Sequence, residues 1–176
     1  VIPNPINTKI YRPINKYYAR EKLNIPKDNK VIAYGAIDGL SDHRKGGDLL
    51  IKTLELIDES NVDITILIFG KSKSNNYQVK KNLRIIYTGL ISKESNLALI
   101  YSAADLMIVP SRQESFGQTA SEAMSCGTPV ICYKTSGLRD IVDNNFNGVL
   151  INSFDYNEMA NKIKELLNND NKLKIL

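Results

Sequence analysis

From residue 31 onward, the chain alternates short, continuous apolar runs with segments of helical spacing. Unbroken apolar runs are typical of strands buried on both faces, which occur in parallel sheets covered by helices. The runs that qualify as strands are 31–34, 63–69, 83–88, 105–109, 129–133 and 148–151. About six strands alternating with helices predict one α/β domain with a doubly wound, Rossmann-like parallel sheet.

Apolar residues that recur on one side of a helix predict the covering elements. In residues 46–59 the residues on one such face are Leu49, Leu50, Thr53, Leu54 and Ile57. Ser92 is expected to cap a second helix, whose buried face carries Leu97, Ile100 and Tyr101. Further helices are expected through Glu122 as far as Gly127, over 137–142 and over 155–168.

The start of the chain and the segment 71–82 lack these patterns. Residues 71–82 are polar and predict a mobile surface loop. Residues 17–23 predict a short helix before the Ile25-Pro26 break. The chain starts at Val1 without a methionine. We therefore expect a fragment of a longer protein, with residues 1–30 as an interdomain linker and residues 31–176 as the folded domain.

Composition narrows the range of partners. The 176 residues are 43% hydrophobic and 24% charged, and a net charge of +4 permits a phosphate-bearing ligand. The basic residues are scattered, so a nucleic-acid partner is not expected. Cys126, Cys132 and the single histidine, His43, allow no zinc-binding spacing, and we expect buried thiols in a reducing cytosol. No apolar run approaches the roughly 20 residues that cross a bilayer.

In an open parallel sheet, ligands bind beyond the carboxyl ends of the strands, where loops lead into helix N-termini. The loop after the first strand carries Arg44 and Lys45 directly before a helix. Cations are unfavourable at the positive end of a helix dipole unless an anion also binds there, so this pair is a candidate phosphate site. An equally weighted alternative is that the two side chains simply extend into water.

A second candidate is the segment 110–127, in which a strand end, Glu114 and a helix start follow one another. Unpaired amides at that helix start could hold a diphosphate, namely those of Phe116, Gly117, Gln118 and Thr119. Glu122 lies about five residues into the helix, roughly 7–8 Å along its axis. This is comparable with the distance from a diphosphate to its ribose. For each glutamate, surface solvation or a helix N-terminal charge preference is an alternative of similar weight.

A third candidate is the loop 89–92, where Ile91 beside backbone groups could sandwich a base, although core packing is the favoured interpretation. Familiar motifs are missing from the chain: G-x-G-x-x-G after the first strand, G-x-x-x-x-G-K-[ST], G-x-S-x-G and H-E-x-x-H. Their absence counts against a dinucleotide-dependent dehydrogenase, a P-loop enzyme, a Ser-His-Asp hydrolase and a zinc protease.

Five runs in order resemble the C-terminal, nucleotide-sugar-binding domain of the retaining glycosyltransferases of family four (glycosyl transferases group 1), which have the two-domain GT-B architecture. The runs are V-I-P-N-P-I-N-T-K-I-Y-R-P, D-H-R-K-G-G-D-L-L, I-Y-T-G-L-I-S-K-E-S, L-I-Y-S-A-A-D-L-M-I-V-P-S and E-S-F-G-Q-T-A-S-E-A-M-S-C-G-T-P-V-I. They span nearly the whole chain, and the last one holds the E-x7-E pattern from Glu114 to Glu122. The resemblance makes residues 31–176 the donor-binding domain and implies an N-terminal acceptor domain outside this chain.

The resemblance also implies a role for each matching residue. Lys45, helped by Arg44, would neutralise the donor diphosphate and stabilise the departing nucleotide. Glu114 would contact the transferred sugar, and Glu122 would bind the ribose hydroxyls. Ile91 would lie beside the base. The remaining donor-binding positions are Gly35 and the amides around Ser115, Phe116, Gly117, Gln118 and Thr119.

The implied reaction transfers a sugar with retention from a UDP- or GDP-linked donor to a saccharide or lipid-linked acceptor, with no cofactor or bound metal. It would serve the biosynthesis of a cell-surface polysaccharide or glycolipid. A cytoplasmic location is implied, with peripheral association at the inner membrane face as an alternative that no strong basic amphipathic helix supports. The chain alone is expected to bind a nucleotide sugar weakly and to transfer nothing.

One departure from the family keeps other functions open. The family commonly carries an arginine directly after Gly35, and this chain has Ala36. Either Arg44 substitutes for that arginine, or diphosphate binding is weaker. A non-catalytic, regulatory sugar-nucleotide-binding subunit is therefore one alternative. A sugar-nucleotide epimerase of the same architecture is another, against which the E-x7-E pattern beside R-K-G argues.

Overall fold

The computed structural model describes residues 4–35, 37, 42–57, 62–70, 83–152 and 154–176. Ala36 and the predicted surface loop 71–82 lie outside the described residues, so neither expectation is addressed by the structure. Within the described ranges the chain forms one sheet of six strands with helices on both faces.

The strands of the sheet are β1 (Lys30–Gly35), β2 (Ile64–Phe69), β3 (Leu83–Gly89), β4 (Leu106–Val109), β5 (Val130–Tyr133) and β6 (Gly148–Ile151). Their order is β3-β2-β1-β4-β5-β6, and every neighbouring pair is parallel. This confirms the predicted doubly wound parallel sheet. Each strand also lies within one residue of its predicted bounds, because unbroken apolar runs end where the chain reaches the polar rim.

The helices are α1 (Lys16–Lys22), α2 (Gly47–Ile57), α3 (Glu94–Ala103), α4 (Gln118–Ser125), α5 (Leu138–Ile141), α6 (Tyr156–Leu167) and α7 (Asp170–Ile175). The prediction of Ser92 as a helix cap is wrong. Helix α3 begins at Glu94 because the N–H groups of Asn96 and Leu97 bond to the carbonyl of Lys93, which makes Lys93 the N-cap residue. Helix α7 was not predicted from the sequence.

The two faces of the sheet carry different helices. Helices α2 and α6 cover one face, and α1, α3, α4 and α5 cover the other. The five residues predicted on the inner face of α2 are all buried. Cys126 and Cys132 are buried free thiols, as predicted. Burial raises the pKa of Cys126 to about 11 and that of Cys132 to about 12, so both thiols stay protonated near neutral pH.

Residues 4–30 pack against the sheet domain. Tyr11, Ala19 and Ile25 are buried in the cluster that also contains the inner face of α3. Arg20 is buried and donates to the Asp105 carboxylate at 2.7 Å and to the Ala103 carbonyl at 3.1 Å. The division between linker and domain at residue 30 stays a prediction.

Strands β1 and β4 are neighbours at the centre of the sheet, although β2 and β3 come between them in the chain. The chain leaves β1 towards β2 on one side and leaves β4 towards β5 on the other side. The loops beyond their carboxyl ends therefore diverge and open a crevice, which is where ligands bind in folds of this type. The first two candidate segments, around Lys45 and around Glu114, follow these two strands.

Candidate functional site

Backbone hydrogen bonds join three loops at the carboxyl edge of the sheet. The Arg112 N–H donates to the Arg44 carbonyl at 2.8 Å and links the loop 42–46 to the loop 110–117. The Gly137 N–H donates to the Glu114 carbonyl at 3.0 Å and adds the loop 134–137, which follows β5. The two segments that were predicted separately thus form one surface, and a third loop belongs to it.

Gly46 allows the first two loops to approach each other closely. Its φ is +69°, and a Cβ added there would lie 2.0 Å from the carbonyl oxygen of Pro110. Glycine is the residue that tolerates both this left-handed backbone and this contact. Lys45, directly before it, is therefore held against the loop that carries Glu114.

Arg112 clamps the loop 42–46 to helix α2. Its guanidinium donates to both oxygens of the Asp48 carboxylate, each at 2.7 Å, and to the His43 carbonyl at 2.9 Å. The hydrogen bonds from Arg112 lower the pKa of Asp48 to about 2, so the pair is ionised at neutral pH. The backbone on either side of Lys45 is thus fixed before any ligand arrives.

Lys45 and Glu114 face each other between the two loops. The Nζ atom of Lys45 lies 2.6 Å from Oε1 of Glu114, and the Ser111 hydroxyl donates to the same oxygen at 2.9 Å. The Glu114 side chain is 9% exposed and that of Lys45 is 35% exposed, so the carboxylate is more shielded than the ammonium group. Sequence reasoning placed both residues in the site but missed that they pair.

Arg44 lies beside Lys45 but reaches further into solvent. Its side chain is 70% exposed, and its Nη2 lies 3.0 Å from Oδ2 of Asp42. The hydrogen bonds from Arg44 lower the pKa of Asp42. Both cations that seemed to require an external anion therefore have a carboxylate partner within the chain. The case for a phosphate site rests on their position at a cavity rather than on uncompensated charge.

Two adjoining cavities share Arg44 and Lys45. The first has a volume of about 550 Å³, and its other lining residues are Gln113, Glu114, Ser115, Ser136 and Gly137. The second has a volume of about 510 Å³ and includes Gly35, Gln118, Thr119 and Glu122 in its lining. The structure thus brings the predicted basic pair and both predicted glutamates to one site, with Lys45 where the two cavities meet.

Helix α4 begins at this site. Its N-cap residue is Gly117, whose φ of +89° suits glycine and whose lack of a side chain leaves the helix uncapped. The N–H groups in the first turn of a helix have no intrahelical partner. Gln118 and Thr119, in that turn, line the second cavity, and Ser115 lines the first. Phe116 and Gly117, also predicted to bind the donor, line neither of these two cavities.

Glu122 forms part of the wall of the second cavity and is 7% exposed. The Tyr101 hydroxyl donates to its Oε2 atom at 2.8 Å, and the side-chain amide of Gln118 donates to its Oε1 atom at 3.1 Å. Burial, and then the charge of Glu122, raise the pKa of Tyr101 well above its ordinary value. The Tyr101 hydroxyl therefore keeps its proton and remains a donor.

The far end of the second cavity is apolar. Ile91 is half-buried there, packing on the core while lining the cavity, so the two interpretations of this residue are compatible. Beside it lie Leu90, 74% exposed, and Ile37, 78% exposed. Exposed aliphatic side chains next to backbone groups suit the face of a planar ring.

Several lining residues escaped the sequence analysis. Tyr101 was predicted only as a buried helix residue, because spacing shows that a ring is buried but not where its hydroxyl points. Ser136 and Gly137 follow the fifth strand, and the rule that placed the other loops at this edge could have found them. Arg112 stands two residues before Glu114, and nothing in the sequence reveals that it pairs with Asp48.

Across the described ranges, no three His, Cys, Asp or Glu side chains come together as a group that could hold a metal ion. None of the helices in the same ranges has the length and apolar character needed to span a membrane. Whether the protein uses a metal and whether it associates with a membrane stay predictions.

The fold and the position of the cavities define a doubly wound α/β domain with a ligand cleft at its switch point. Residues 16–176 match the family described as "Glycosyl transferases group 1". The chain belongs to this family and has the fold of the C-terminal domain of its GT-B architecture.

Relatives and solved structures agree with this membership. A D-inositol 3-phosphate glycosyltransferase of Segniliparus rotundus is 30% identical over 177 residues, which cover 95% of this chain and 38% of that protein. Sucrose-phosphate synthase of Thermosynechococcus elongatus superimposes with a TM-score of 0.79 at 30% identity, over 99% of this chain and 44% of that chain. Anabaena HepE, solved in complex with UDP and glucose, shares the fold with a TM-score of 0.77 at 21% identity, over 98% of this chain and 48% of that chain.

The chain spans about two fifths of the length of the curated relatives that it matches, between 37% and 44% of each of the first three.

Proposed function

We propose that this chain is the donor-binding domain of a retaining glycosyltransferase, which transfers a sugar from a nucleoside-diphosphate sugar to a saccharide or lipid-linked acceptor. The observation that carries the proposal is the meeting of two cavities at Lys45, with Glu114 in one and Glu122 in the other. A sugar nucleotide has a matching order of groups, in which a diphosphate joins a sugar on one side to a ribose and a base on the other.

The diphosphate would lie between the basic pair and the start of helix α4. Lys45 and Arg44 supply positive charge, and the first-turn amides of Gln118 and Thr119 supply donors at the positive end of a helix dipole. Lys45 would exchange its contact with Glu114 for phosphate oxygens. These groups would stabilise the negative charge that develops on the departing nucleotide, and this supports transfer without a bound metal ion.

The two ends of the donor would occupy chemically different cavities. The first cavity is lined by Glu114, Gln113 and Ser136, whose oxygens and amide suit the hydroxyl groups of a sugar. In the second cavity Glu122 would accept from the ribose, and Ile91 and Leu90 would lie against the base. A UDP- or GDP-linked donor fits this division, and the UDP held by HepE, which shares the fold, supports the uridine form.

In the proposed step, the bond between the anomeric carbon and the diphosphate oxygen breaks, and its electron pair goes to the nucleoside diphosphate. The acceptor oxygen bonds to the same face of the anomeric carbon, which gives retention. The acceptor proton passes to the departing phosphate, so no residue of this domain has to act as a base. The acceptor itself would be held by an N-terminal domain outside the present chain.

The biological role that we propose is the biosynthesis of a cell-surface polysaccharide or glycolipid in the cytoplasm or at the inner face of the membrane. The proposal of a catalytic role is supported by family membership and by the pairing of Lys45 with Glu114 inside the cleft.

The test measures transfer of labelled sugar from UDP- and GDP-sugars to saccharide and lipid acceptors by the complete protein that contains this chain. Lys45→Ala and Glu114→Ala should each lower the rate by about 100-fold or more, because each removes a charged group at the reacting centre. Lys52→Ala is the matched control, since Lys52 is an exposed cation of helix α2 that faces the Tyr156 ring instead.

If transfer survives both cleft variants, the catalytic proposal is wrong and the regulatory subunit becomes the better explanation. Conversion of the donor sugar to its epimer without any acceptor would instead support the epimerase alternative.

A further inference from the structure

We propose that Tyr101 and Gln118 are positioning residues that fix the Glu122 carboxylate, and that this makes the site selective for ribonucleotides over 2′-deoxyribonucleotides. The inference rests on the proposed function, in which Glu122 binds the ribose of the donor. It adds the two residues that act through Glu122 and the discrimination that they produce.

Glu122 is a buried anion that neutral donors hold in place. It is 7% exposed, and its printed partners are the Tyr101 hydroxyl at 2.8 Å and the Gln118 amide at 3.1 Å. Among the described residues, no lysine or arginine forms an ion pair with it. Burying a carboxylate without a cation costs free energy unless hydrogen bonds satisfy its oxygens. A partly satisfied carboxylate at a cavity wall therefore favours a ligand that brings further donors.

The number and placement of acceptor sites match a vicinal diol. A carboxylate offers about four lone-pair sites, two on each oxygen. Tyr101 occupies one on Oε2, and Gln118 occupies one on Oε1. One site therefore remains on each oxygen. The 2′- and 3′-hydroxyl groups of a ribose are two neighbouring donors, whereas a 2′-deoxyribose has only the 3′-hydroxyl.

Tyr101 supplies a rigid reference for this carboxylate because it belongs to α3 rather than to α4. It is completely buried, and its ring packs edge-on against Phe69 with a centroid distance of 5.5 Å. Its carbonyl accepts from the Thr128 hydroxyl at 2.6 Å. Gln118 lies four residues before Glu122 in the same helix and can move with it. The hydroxyl of Tyr101 thus sets where the two remaining acceptor sites point.

Selectivity follows from this fixed geometry. With a deoxyribonucleotide, one acceptor of the buried carboxylate loses water and gains no donor, which carries a desolvation cost. A carboxylate released from Tyr101 could turn and satisfy both oxygens with fewer ligand groups. Loss of the Tyr101 hydroxyl should therefore weaken ribonucleotide binding while affecting deoxyribonucleotide binding less.

The experiment measures dissociation constants of the 176-residue chain by isothermal titration calorimetry for UDP against 2′-deoxy-UDP, and for GDP against 2′-deoxy-GDP. We expect the chain to prefer the ribonucleotide by about tenfold or more, as for one hydrogen bond to a charged group. Tyr101→Phe should bring the ratio close to one. Glu122→Gln should do the same.

Tyr133→Phe is the matched control. Tyr133 is as deeply buried as Tyr101, but its hydroxyl has no hydrogen-bond partner within the part of the chain that the structure describes. Its removal should leave the ratio unchanged. If Tyr101→Phe does not fold, Gln118→Met tests the other donor to the same carboxylate, and the ratio should again fall.

The outcomes separate this inference from the function beneath it. An unchanged ratio in folded Tyr101→Phe, or in Gln118→Met if that variant has to stand in, overturns the positioning role while leaving nucleotide binding intact. Equal binding of ribo- and deoxyribonucleotides by the unaltered chain does the same. If none of the four nucleotides binds, the proposed function fails, and this inference fails with it.

Discussion

Lys45 pairs with Glu114 at 2.6 Å, and the proposed donor diphosphate would compete for the same ammonium group. Ser111 donates to the same Glu114 oxygen and holds the carboxylate in this position. The ion pair therefore opposes binding of a diphosphate that carries no sugar. A complete donor could recover this cost, since its sugar hydroxyls would give Glu114 new partners.

This competition predicts an unusual sign for one substitution. Glu114→Gln should bind UDP about two- to fivefold more tightly, because a partly exposed ion pair contributes up to about 1 kcal/mol and no longer has to be broken. Isothermal titration calorimetry measures the effect, and Lys45→Met, which removes the cation instead, should weaken binding. Weaker UDP binding by Glu114→Gln would mean that Glu114 organises the phosphate site rather than competing with it.

Gly46 gives a second prediction, about stability. Gly46→Ala should lower the free energy of unfolding by more than the roughly 1–2 kcal/mol of a left-handed non-glycine residue, because the new Cβ would also lie 2.0 Å from the Pro110 carbonyl. Gly89→Ala is the matched control, since Gly89 has a φ of +71° and nothing within 4 Å of an added Cβ. Urea unfolding of both variants gives the comparison, and equal losses would show that the contact with Pro110 is unimportant.

The candidate site was predictable where chemistry follows chain order. Lys45, Glu114 and Glu122 were found from their positions after strands and at a helix start, and the structure brings them to one cleft. Pairings between distant residues were not predictable. The contact of Tyr101 with Glu122 and that of Arg112 with Asp48 depend on how α3 and the loop 110–117 pack, which no local pattern encodes.

Strands and helices differ in how well the sequence defined them. Strand bounds followed from unbroken apolar runs, as in β5 and β6, where burial on both faces leaves no polar position to confuse the reading. Helix ends were less certain, because a helix start depends on which carbonyl accepts the first hydrogen bond. That choice moved the start of α3 past Ser92. Helix α7 is short and polar, so its packing against α6 rather than its own pattern determines it.

The clamp between helix α2 and the loop 110–117 predicts a dependence of stability on pH. Arg112 lowers the pKa of Asp48 to about 2 in the folded protein, below the ordinary value of 3.8. The stabilisation is therefore complete above about pH 4 and is lost as the pH falls towards 2. Its size should stay within about 1 kcal/mol, because the Asp48 side chain is 45% exposed.

Thermal unfolding from pH 2 to pH 7 checks this dependence. The unaltered chain should be more stable than Asp48→Asn at pH 7, and the difference should shrink as the pH falls from 4 to 2. A difference that stays constant over this range would mean that the charge of Asp48 contributes nothing to folding.

The molecule carries cavities at both edges of its sheet, and they differ in chemistry. The proposed donor site lies at the carboxyl edge, where helix α4 begins and Lys45 meets Glu114. A further cavity of about 550 Å³ lies at the opposite edge, lined by residues that include Lys16, Arg20 and Lys30. Its cations pair with Asp105 and Asp170, and no helix of eight or more residues in the described ranges starts among its lining residues. A diphosphate should therefore prefer the carboxyl edge.

Titration of the isotope-labelled chain with UDP and with GDP, followed by amide chemical shifts, tests this preference most directly. We expect the largest shifts at Lys45, at Ser115 to Thr119 and at Ile91, with little change around Lys16 and Lys30. Shifts that centre on Lys16 and Lys30, or no shifts with either nucleotide at millimolar concentration, would contradict the assignment of the cleft at Lys45 as a nucleotide-sugar site.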